Sequence, residues 1–217
     1  AANLLSYATN GVGQELEDIL RKRRESAQAS RTVGSNIIVP APESLKYREF
    51  QKAGIAYALQ RPATLVADDP GLGKTIEAIG YINATQVSNV LIICPASLKL
   101  NWKSELQKWL VNPLSIGIAN GGFPSTSIVI TNYDILGKHI GSICERQWEL
   151  LICDEAARIK SEKAQRTRWV QQISQFIPRK LFLTGTPLLN RPIELWSLVH
   201  TLAPNDWPSF WDFARRY

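Results

Sequence analysis

The sequence predicts an α/β domain, a mostly parallel sheet with helices on both faces. Three observations carry that expectation. Short apolar runs alternate with segments of helical periodicity from residue 47 onward, the order that lets helices cover both sides of a parallel sheet. A glycine-rich stretch, Asp68-Asp69-Pro70-Gly71-Leu72-Gly73-Lys74-Thr75, joins one apolar run to a helix-like segment. A later run, Leu150-Leu151-Ile152-Cys153, ends in adjacent carboxylates, Asp154 and Glu155, and open α/β sheets bind ligands at the carboxyl ends of their strands.

Residues 13–29 form the first expected helix, with Leu16, Ile19 and Leu20 on one side and Arg21 to Arg24 at its end. Such a basic end suits either a solvated face that complements the helix dipole or a nucleic-acid contact. Residues 30–44 contain Pro40 and Pro42 and read as a linker or an extended lead into the domain. An amphipathic helix over 47–59 follows, then a strand at 63–67 and a helix over 76–82 after the glycine loop. Next come a strand at 90–94, a helix over 97–110, and strands at 115–119, 127–130 and 149–153. Shorter helices lie between the last two strands. Beyond Asp154-Glu155 the pattern gives a helix over 162–175, a strand at 180–183, and a helix over 193–202 begun by Pro192.

At 217 residues and 45% apolar the chain can bury one large or two small cores. Its formal charge of +6 is compatible with a polyanionic partner and equally with a basic surface. The three cysteines have no Cys-x-x-Cys spacing; Cys94 and Cys153 fall inside apolar runs, as buried reduced thiols do. No apolar run approaches a membrane span, and the start lacks the basic-then-apolar pattern of an export signal. An intracellular location is therefore expected, nuclear in a eukaryote and cytoplasmic in a bacterium or virus. His139 and His200 lack companions at ligand spacing and read as structural.

The glycine loop carries the chemistry. Backbone N–H groups of such a loop, with the positive end of the following helix, favour phosphate; Lys74 reaches the terminal phosphates and Thr75 holds Mg²⁺. The pattern matches at its Gly-Lys-Thr end only, because Asp68 stands where the general motif has a glycine. Asp154 and Glu155 supply the complement, one carboxylate to hold hydrated Mg²⁺ and one to orient an attacking water.

Several blocks in fixed order then carry a resemblance: Leu45-x-Tyr47-x-x-x-Gln51-x-x-Gly54, the loop Asp68 to Thr75, Cys94-Pro95-x-Ser97-Leu98-x-x-Asn101-Trp102, Thr131-Asn132-Tyr133-Asp134, Asp154-Glu155-Ala156, Leu183-Thr184-Gly185-Thr186-Pro187, and Asn190-Arg191-Pro192-x-Glu194-Leu195-Trp196. Residues 45–217 resemble the first RecA-like lobe of the Swi/Snf-type superfamily-two helicase-like ATPases, with features of the strand-annealing branch.

The resemblance implies an ATP- and Mg²⁺-using lobe that works on DNA together with a second lobe, preceded by a helix and linker over 1–44. It implies that Gln51, with Arg48 and Tyr47, reads adenine, and that Asp69, Gly71, Leu72, Gly73, Lys74 and Thr75 hold the phosphates. Thr75 and Asp154 would take the metal, with Lys74 and Glu155 catalytic. Pro95, Ser97, Asn101 and Thr131 would grip the DNA backbone without reading sequence; Ser97 is also a good helix N-cap. Arg158 and Lys160, in a segment rich in cations, are further phosphate-contact candidates. Thr184 and Thr186 would couple the nucleotide site to the DNA path. Two departures stand out: Ala157 replaces a usual histidine that bonds toward Thr184, and Pro70 removes one N–H from the loop. After Leu202 only Pro204 to Tyr217 follow, too short for another sheet, so the arginines that complete hydrolysis are expected from the second lobe.

Overall fold

A computed structural model of the protein describes residues 18, 21–22, 24–32, 34–186 and 192–216. Of the helix expected over 13–29, residues 18, 21–22 and 24–29 are helical, and the rest fall outside the described set. The ordered elements are α1 (Glu49–Leu59), β1 (Ala63–Val66), α2 (Lys74–Thr85), β2 (Val90–Cys94), α3 (Lys99–Trp109), β3 (Ile116–Ile118) and β4 (Ile128–Asn132). They continue with α4 (Leu136–Cys144), β5 (Leu150–Asp154), α5 (Gln165–Ser174), β6 (Arg179–Leu183), α6 (Trp196–Leu202) and α7 (Phe210–Arg216).

The six strands form one sheet in the order β1-β6-β5-β2-β4-β3, and every pairing is parallel. The central strands β2, β4 and β5 are buried at every position, which is why they appear in the sequence as unbroken Val/Ile/Leu runs. Alternate side chains of each strand enter opposite cores. Val90, Ile92, Ile128, Ile130, Leu150 and Ile152 pack with α1, α2 and α3 through Ile55, Ile79, Ile82, Trp102 and Leu106. Leu91, Ile93, Val129, Leu151 and Cys153 pack on the other face with Leu136, Ile143, Val170, Ile173 and Leu198. The expected α/β architecture is thus the one observed.

Three local differences have physical reasons. β4 runs on through Asn132, two residues past its expected end, because Thr131 and Asn132 stay in register with Ile93 and Cys94 of β2. The helix expected over 193–202 is split, a tight turn at Pro192–Leu195 leading into α6. The stretch over 34–42 is more than a lead-in: Val39 is buried in the first core, with Ile37 and Ala41 against it, and the Pro40 carbonyl accepts from Asn83 Nδ2. Cys94 and Cys153 are buried thiols and Cys144 is exposed, none of them in a disulfide. No described helix is long and apolar enough to cross a membrane.

Candidate nucleotide site

β1, β6 and β5 are neighbours in the sheet, so their carboxyl ends bring together the glycine loop, residues 184–186, and Asp154-Glu155. The loop leaves β1 and turns through Gly71 at φ +86° and Gly73 at φ +87°, a left-handed conformation that glycine adopts without steric cost. Gly73 also admits a close approach: a Cβ there would lie 2.7 Å from Gln51 Nε2. α2 starts at Lys74; Ile76 N and Glu77 N donate back to Gly73 O, while the N–H groups of Lys74 and Thr75 precede the first intrahelical bond. They and the helix dipole make this end of α2 an anion site. Lys74 Nζ donates to the carbonyls of Asp68 (2.7 Å) and Asp69 (3.0 Å), which holds the ammonium over the loop.

Gln51 is buried and bridges two elements. Its Oε1 accepts from Arg48 N at 3.0 Å and its Nε2 donates to Leu72 O at 3.1 Å, fixing the α1 N-terminus to the loop. One amide hydrogen and one carbonyl lone pair are left for a ligand. Tyr47 departs from expectation. It lies in the core, 5% exposed, with its ring 5.0 Å from that of Trp109 and its hydroxyl bonded to Pro40 O and Asn83 Nδ2. Packing of an aromatic side chain under α2 outweighed the surface position that reading adenine requires.

Asp154 is 7% exposed. Its Oδ2 accepts from Trp102 Nε1 at 2.8 Å and its Oδ1 from Glu155 N at 2.9 Å, while Tyr133 Oη donates to its carbonyl at 2.7 Å. Burial raises the carboxyl's pKa; the Trp102 and Glu155 donors and the positive charge of Lys74 oppose that rise. Glu155 has φ 50° and ψ 50°, an uncommon left-handed conformation for a side-chain-bearing residue, costing roughly 1–2 kcal/mol. It turns the chain sharply off β5 into the turn Ala156–Ile159. Ala157 lies in that turn, and its methyl offers no bond toward Thr184.

The donor set fits hydrated Mg²⁺. No described group of three or more His, Cys, Asp or Glu side chains is placed to hold a metal. Near Lys74 the chain offers the Thr75 hydroxyl and the Asp154 carboxylate, whose oxygens each retain lone pairs. Magnesium keeps most of its water and takes one or two protein ligands beside phosphate oxygens, which is what these two residues can provide.

Residues 184–186 lie against the loop. Thr184 N donates to Val66 O at 3.0 Å, extending the β1 ladder, and Thr184 Oγ1 accepts from Thr186 N at 3.2 Å. A Cβ on Gly185 would meet Pro70 Cγ at 2.9 Å and Lys74 Nζ at 3.5 Å. Gly185 thus lies against the loop, with Thr184 and Thr186 on either side of it. Pro187, Asn190 and Arg191 of the neighbouring blocks lie outside the described residues.

The DNA-contact candidates divide. Ser97 and Asn101 are exposed at the start of α3 and its preceding turn, and Arg158 is exposed beside the Glu155 turn. Pro95 is buried. Thr131 is 0% exposed within β4, so the strand's extension removes it from any surface contact. Lys160 is committed inward: Nζ donates to Thr186 O at 3.0 Å and lies 3.7 Å from Glu194, both side chains mostly buried.

Sequence reasoning assigned no role to Trp102 or Tyr133, which hold Asp154, although both fall in recognised blocks. It also passed over Glu77. This residue is 2% exposed, neither oxygen meets a protein donor, and its neighbour is the Asp68 carboxyl. Burial, then the Asp68 charge and the bond to Asp68, push Glu77 up to about 9 against the pull of Lys74. A carboxyl on the inward side of the helix after a glycine loop was the available signal.

A strand, a twice left-handed glycine loop and a helix, with an acidic pair two strands away, define the phosphate-loop class of α/β domain. Residues 50–217 match the model of the SNF2-related domain, and the chain belongs to that family. Human DNA annealing helicase and endonuclease ZRANB3 is 32% identical over 197 residues, 84% of this chain and 18% of that protein. The SWI/SNF-related matrix-associated actin-dependent regulator of chromatin subfamily A-like protein 1 of Xenopus tropicalis is 31% identical over 88% of this chain and 20% of its own length. Helicase domino of Drosophila melanogaster is 30% identical over 96% of this chain and 7% of its own length. The SWI2/SNF2 ATPase core of Sulfolobus solfataricus, solved in complex with dsDNA, superposes with a TM-score of 0.72 and 26% identity, over 83% of this chain and 41% of that one. The chain thus spans about a fifth or less of the length of these curated relatives.

Proposed function

We propose that this chain is the ATP-binding lobe of a DNA-dependent ATPase that moves on or remodels DNA, hydrolysing ATP to ADP and phosphate when paired with a second lobe. The observation that carries the reading is the shared ledge of β1, β6 and β5, where the loop, residues 184–186 and Asp154-Glu155 meet. The Sulfolobus SWI2/SNF2 core, bound to dsDNA, has the same fold at 26% identity, which supports DNA as the partner.

In this reading the loop N–H groups and Lys74 bind the phosphates, and Gln51 with Arg48 faces the base. Thr75 and Asp154 hold Mg²⁺, which supplies charge neutralisation at the phosphates when bound. Glu155 accepts a hydrogen bond from the attacking water and orients it in line with the leaving oxygen. Cations that stabilise the departing charge come from the second lobe. Ser97, Asn101 and Arg158 contact DNA phosphates, positions that carry no base information. The folded lobe takes in residues 34–44, since Val39 is buried in its first core with Ile37 and Ala41 against it, and work on DNA fits a nuclear location in a eukaryote and a cytoplasmic one in a bacterium or virus. The annealing branch is the functional analogy adopted, resting on the double aspartate of the loop and the Arg191-Pro192-x-Glu194-Leu195 run.

The test compares Lys74→Ala and Glu155→Gln in the protein joined to its second lobe, by fluorescent-nucleotide binding and phosphate release with and without DNA. Lys74→Ala should lose nucleotide binding; Glu155→Gln should bind normally and not turn over. Unchanged affinity in Lys74→Ala would overturn the assignment. Binding without DNA-stimulated release by the unaltered protein would instead indicate a nucleotide-binding DNA-interaction module.

A further inference from the structure

Two segments that flank the proposed nucleotide site are stitched together by side-chain bonds. The first is the turn Ala156–Ile159 with its continuation to Glu162, which begins at Glu155. The second comprises residues 184–186 and 192–197. Ile159 is fully buried, and its carbonyl accepts from Ser197 Oγ at 2.6 Å. Trp196 Nε1 donates to Glu162. Between these anchors Lys160 Nζ donates to Thr186 O at 3.0 Å and faces Glu194 at 3.7 Å.

Lys160 differs from the other stitches in where it reaches. Thr186 is one residue from Gly185, whose backbone lies against Pro70 and the Lys74 ammonium. Lys160 itself is one residue past the turn that Glu155 opens, and its N–H donates to Ala157 O at 3.3 Å. The side chain therefore closes a loop of contacts from Lys74 through Gly185 and Thr186 back to Glu155. With exposures of 15% for Lys160 and 27% for Glu194, the pair is shielded from the solvent screening that weakens surface ion pairs.

From this geometry we infer that Lys160 is a positioning residue, transmitting the state of the phosphate loop through Thr186 to the Glu155 turn and to α6, and is not a direct DNA contact. The inference rests on the proposed nucleotide reading. A change at the loop that displaces Gly185 moves the Thr186 carbonyl, and the partly buried Lys160 ammonium, held also by Glu194, must follow it or lose that hydrogen bond. The Glu155 turn and the start of α6 then respond together.

The test is hydrogen exchange on this chain, with and without Mg·ATP, in the unaltered protein, Lys160→Ala and Lys160→Arg, alongside thermal melts. In the unaltered protein nucleotide should slow exchange at residues 69–77 and also at 155–162 and 192–200. In Lys160→Ala the loop should remain protected, while nucleotide-dependent protection of the other two segments falls by roughly two- to thirtyfold, the span of measured coupling changes. Lys160→Arg, which keeps a cationic donor, should restore it. Full remote protection in Lys160→Ala would overturn the inference. So would loss of dsDNA affinity with a reduced salt slope in Lys160→Ala, since that marks a phosphate contact. Absence of protection at the loop itself in the unaltered protein would overturn the nucleotide reading and this inference with it.

Discussion

Trp102 Nε1 donates to Asp154 Oδ2 at 2.8 Å, so a fully buried indole on α3 holds the carboxylate at the tip of β5. The helix that presents exposed Asn101, with exposed Ser97 in the turn just before it, is thereby bonded to the proposed metal ligand. Trp102→Phe keeps an aromatic ring in the core and removes the donor. A hydrogen bond to a charged group contributes about 1.5–3 kcal/mol, so stability should fall by that order in urea denaturation. The Asp154 carboxyl, already raised by burial, should rise further, and the Mg²⁺ requirement for nucleotide binding should increase. A variant with unaltered stability and unaltered Mg²⁺ dependence would show that the bond does not hold Asp154.

The two loop glycines should respond differently to alanine. At Gly71 nothing lies within 4 Å of a new Cβ, and only the positive φ resists substitution, for a cost of about 1–2 kcal/mol. At Gly73 the same φ penalty is joined by a Cβ 2.7 Å from Gln51 Nε2, which would push the amide off Leu72 O. Gly73→Ala should therefore be the less stable of the two in thermal melts and should lose more nucleotide affinity. Equal losses in both variants would mean that the Gln51 bridge is dispensable.

Glu77 should make the protein lose stability as pH rises. Its folded value, pushed up to about 9, lies far above the ordinary carboxylate value near 4.5. Between those values the folded state keeps a proton that the unfolded chain releases, so raising pH favours unfolding, by up to about 1.4 kcal/mol per pH unit. Glu77→Gln removes this dependence and still lets an amide donate to Asp68. Denaturation at pH 6, 7 and 8 should give a flatter profile and a more stable variant at pH 8. Parallel profiles would refute the raised Glu77 value.

Ser97→Ala and Asn101→Ala should weaken dsDNA binding by roughly two- to tenfold each, the net value of one hydrogen bond. The loss should be the same for DNA of any sequence, because phosphate contacts position a protein without specifying bases. Thr131→Val, which alters a fully buried residue, should leave DNA affinity as it is. Titrations with several duplexes at two salt concentrations distinguish these outcomes; a sequence-dependent loss would place the two residues at base edges.

The sequence was most informative where one interaction decides structure. The runs that became β2, β4 and β5 are apolar at nearly every position because both faces are covered, and the glycine loop announces its own turn. It was least informative about which way a side chain faces once its element is placed. Tyr47 and Gln51 sit on neighbouring turns around the α1 N-terminus, yet one enters the core and the other reaches the loop. Thr131 and Lys160 occupy the right blocks for DNA contact, but strand register buries the first, and a carbonyl much later in the chain captures the second. The bond from Trp102 to Asp154 spans α3, β3, β4 and α4, and no local spacing reveals it. Glu77 shows the converse: its carboxyl breaks the apolar pattern of α2, a visible anomaly whose meaning depends on Asp68 beside it.

The place of β1 in the sheet also dictates the order in which the molecule comes together. β1 has β6 as its sheet partner, Ala63 lying beside Lys180 and Val66 beside Leu183, so the strand that carries the glycine loop pairs with a strand made only after β2, β3, β4 and β5. The β2, β3, β4 and β5 half can associate while β1 still waits, since its members are closer in sequence. Pairings between distant segments are slow to form, because the intervening chain must be ordered first. During synthesis the apolar β1 and the loop behind it therefore remain unsheltered until β6 is complete, a period in which chaperone capture and misassociation compete with docking. Competence to hold a nucleotide is acquired late, as β6 slides in between β1 and β5.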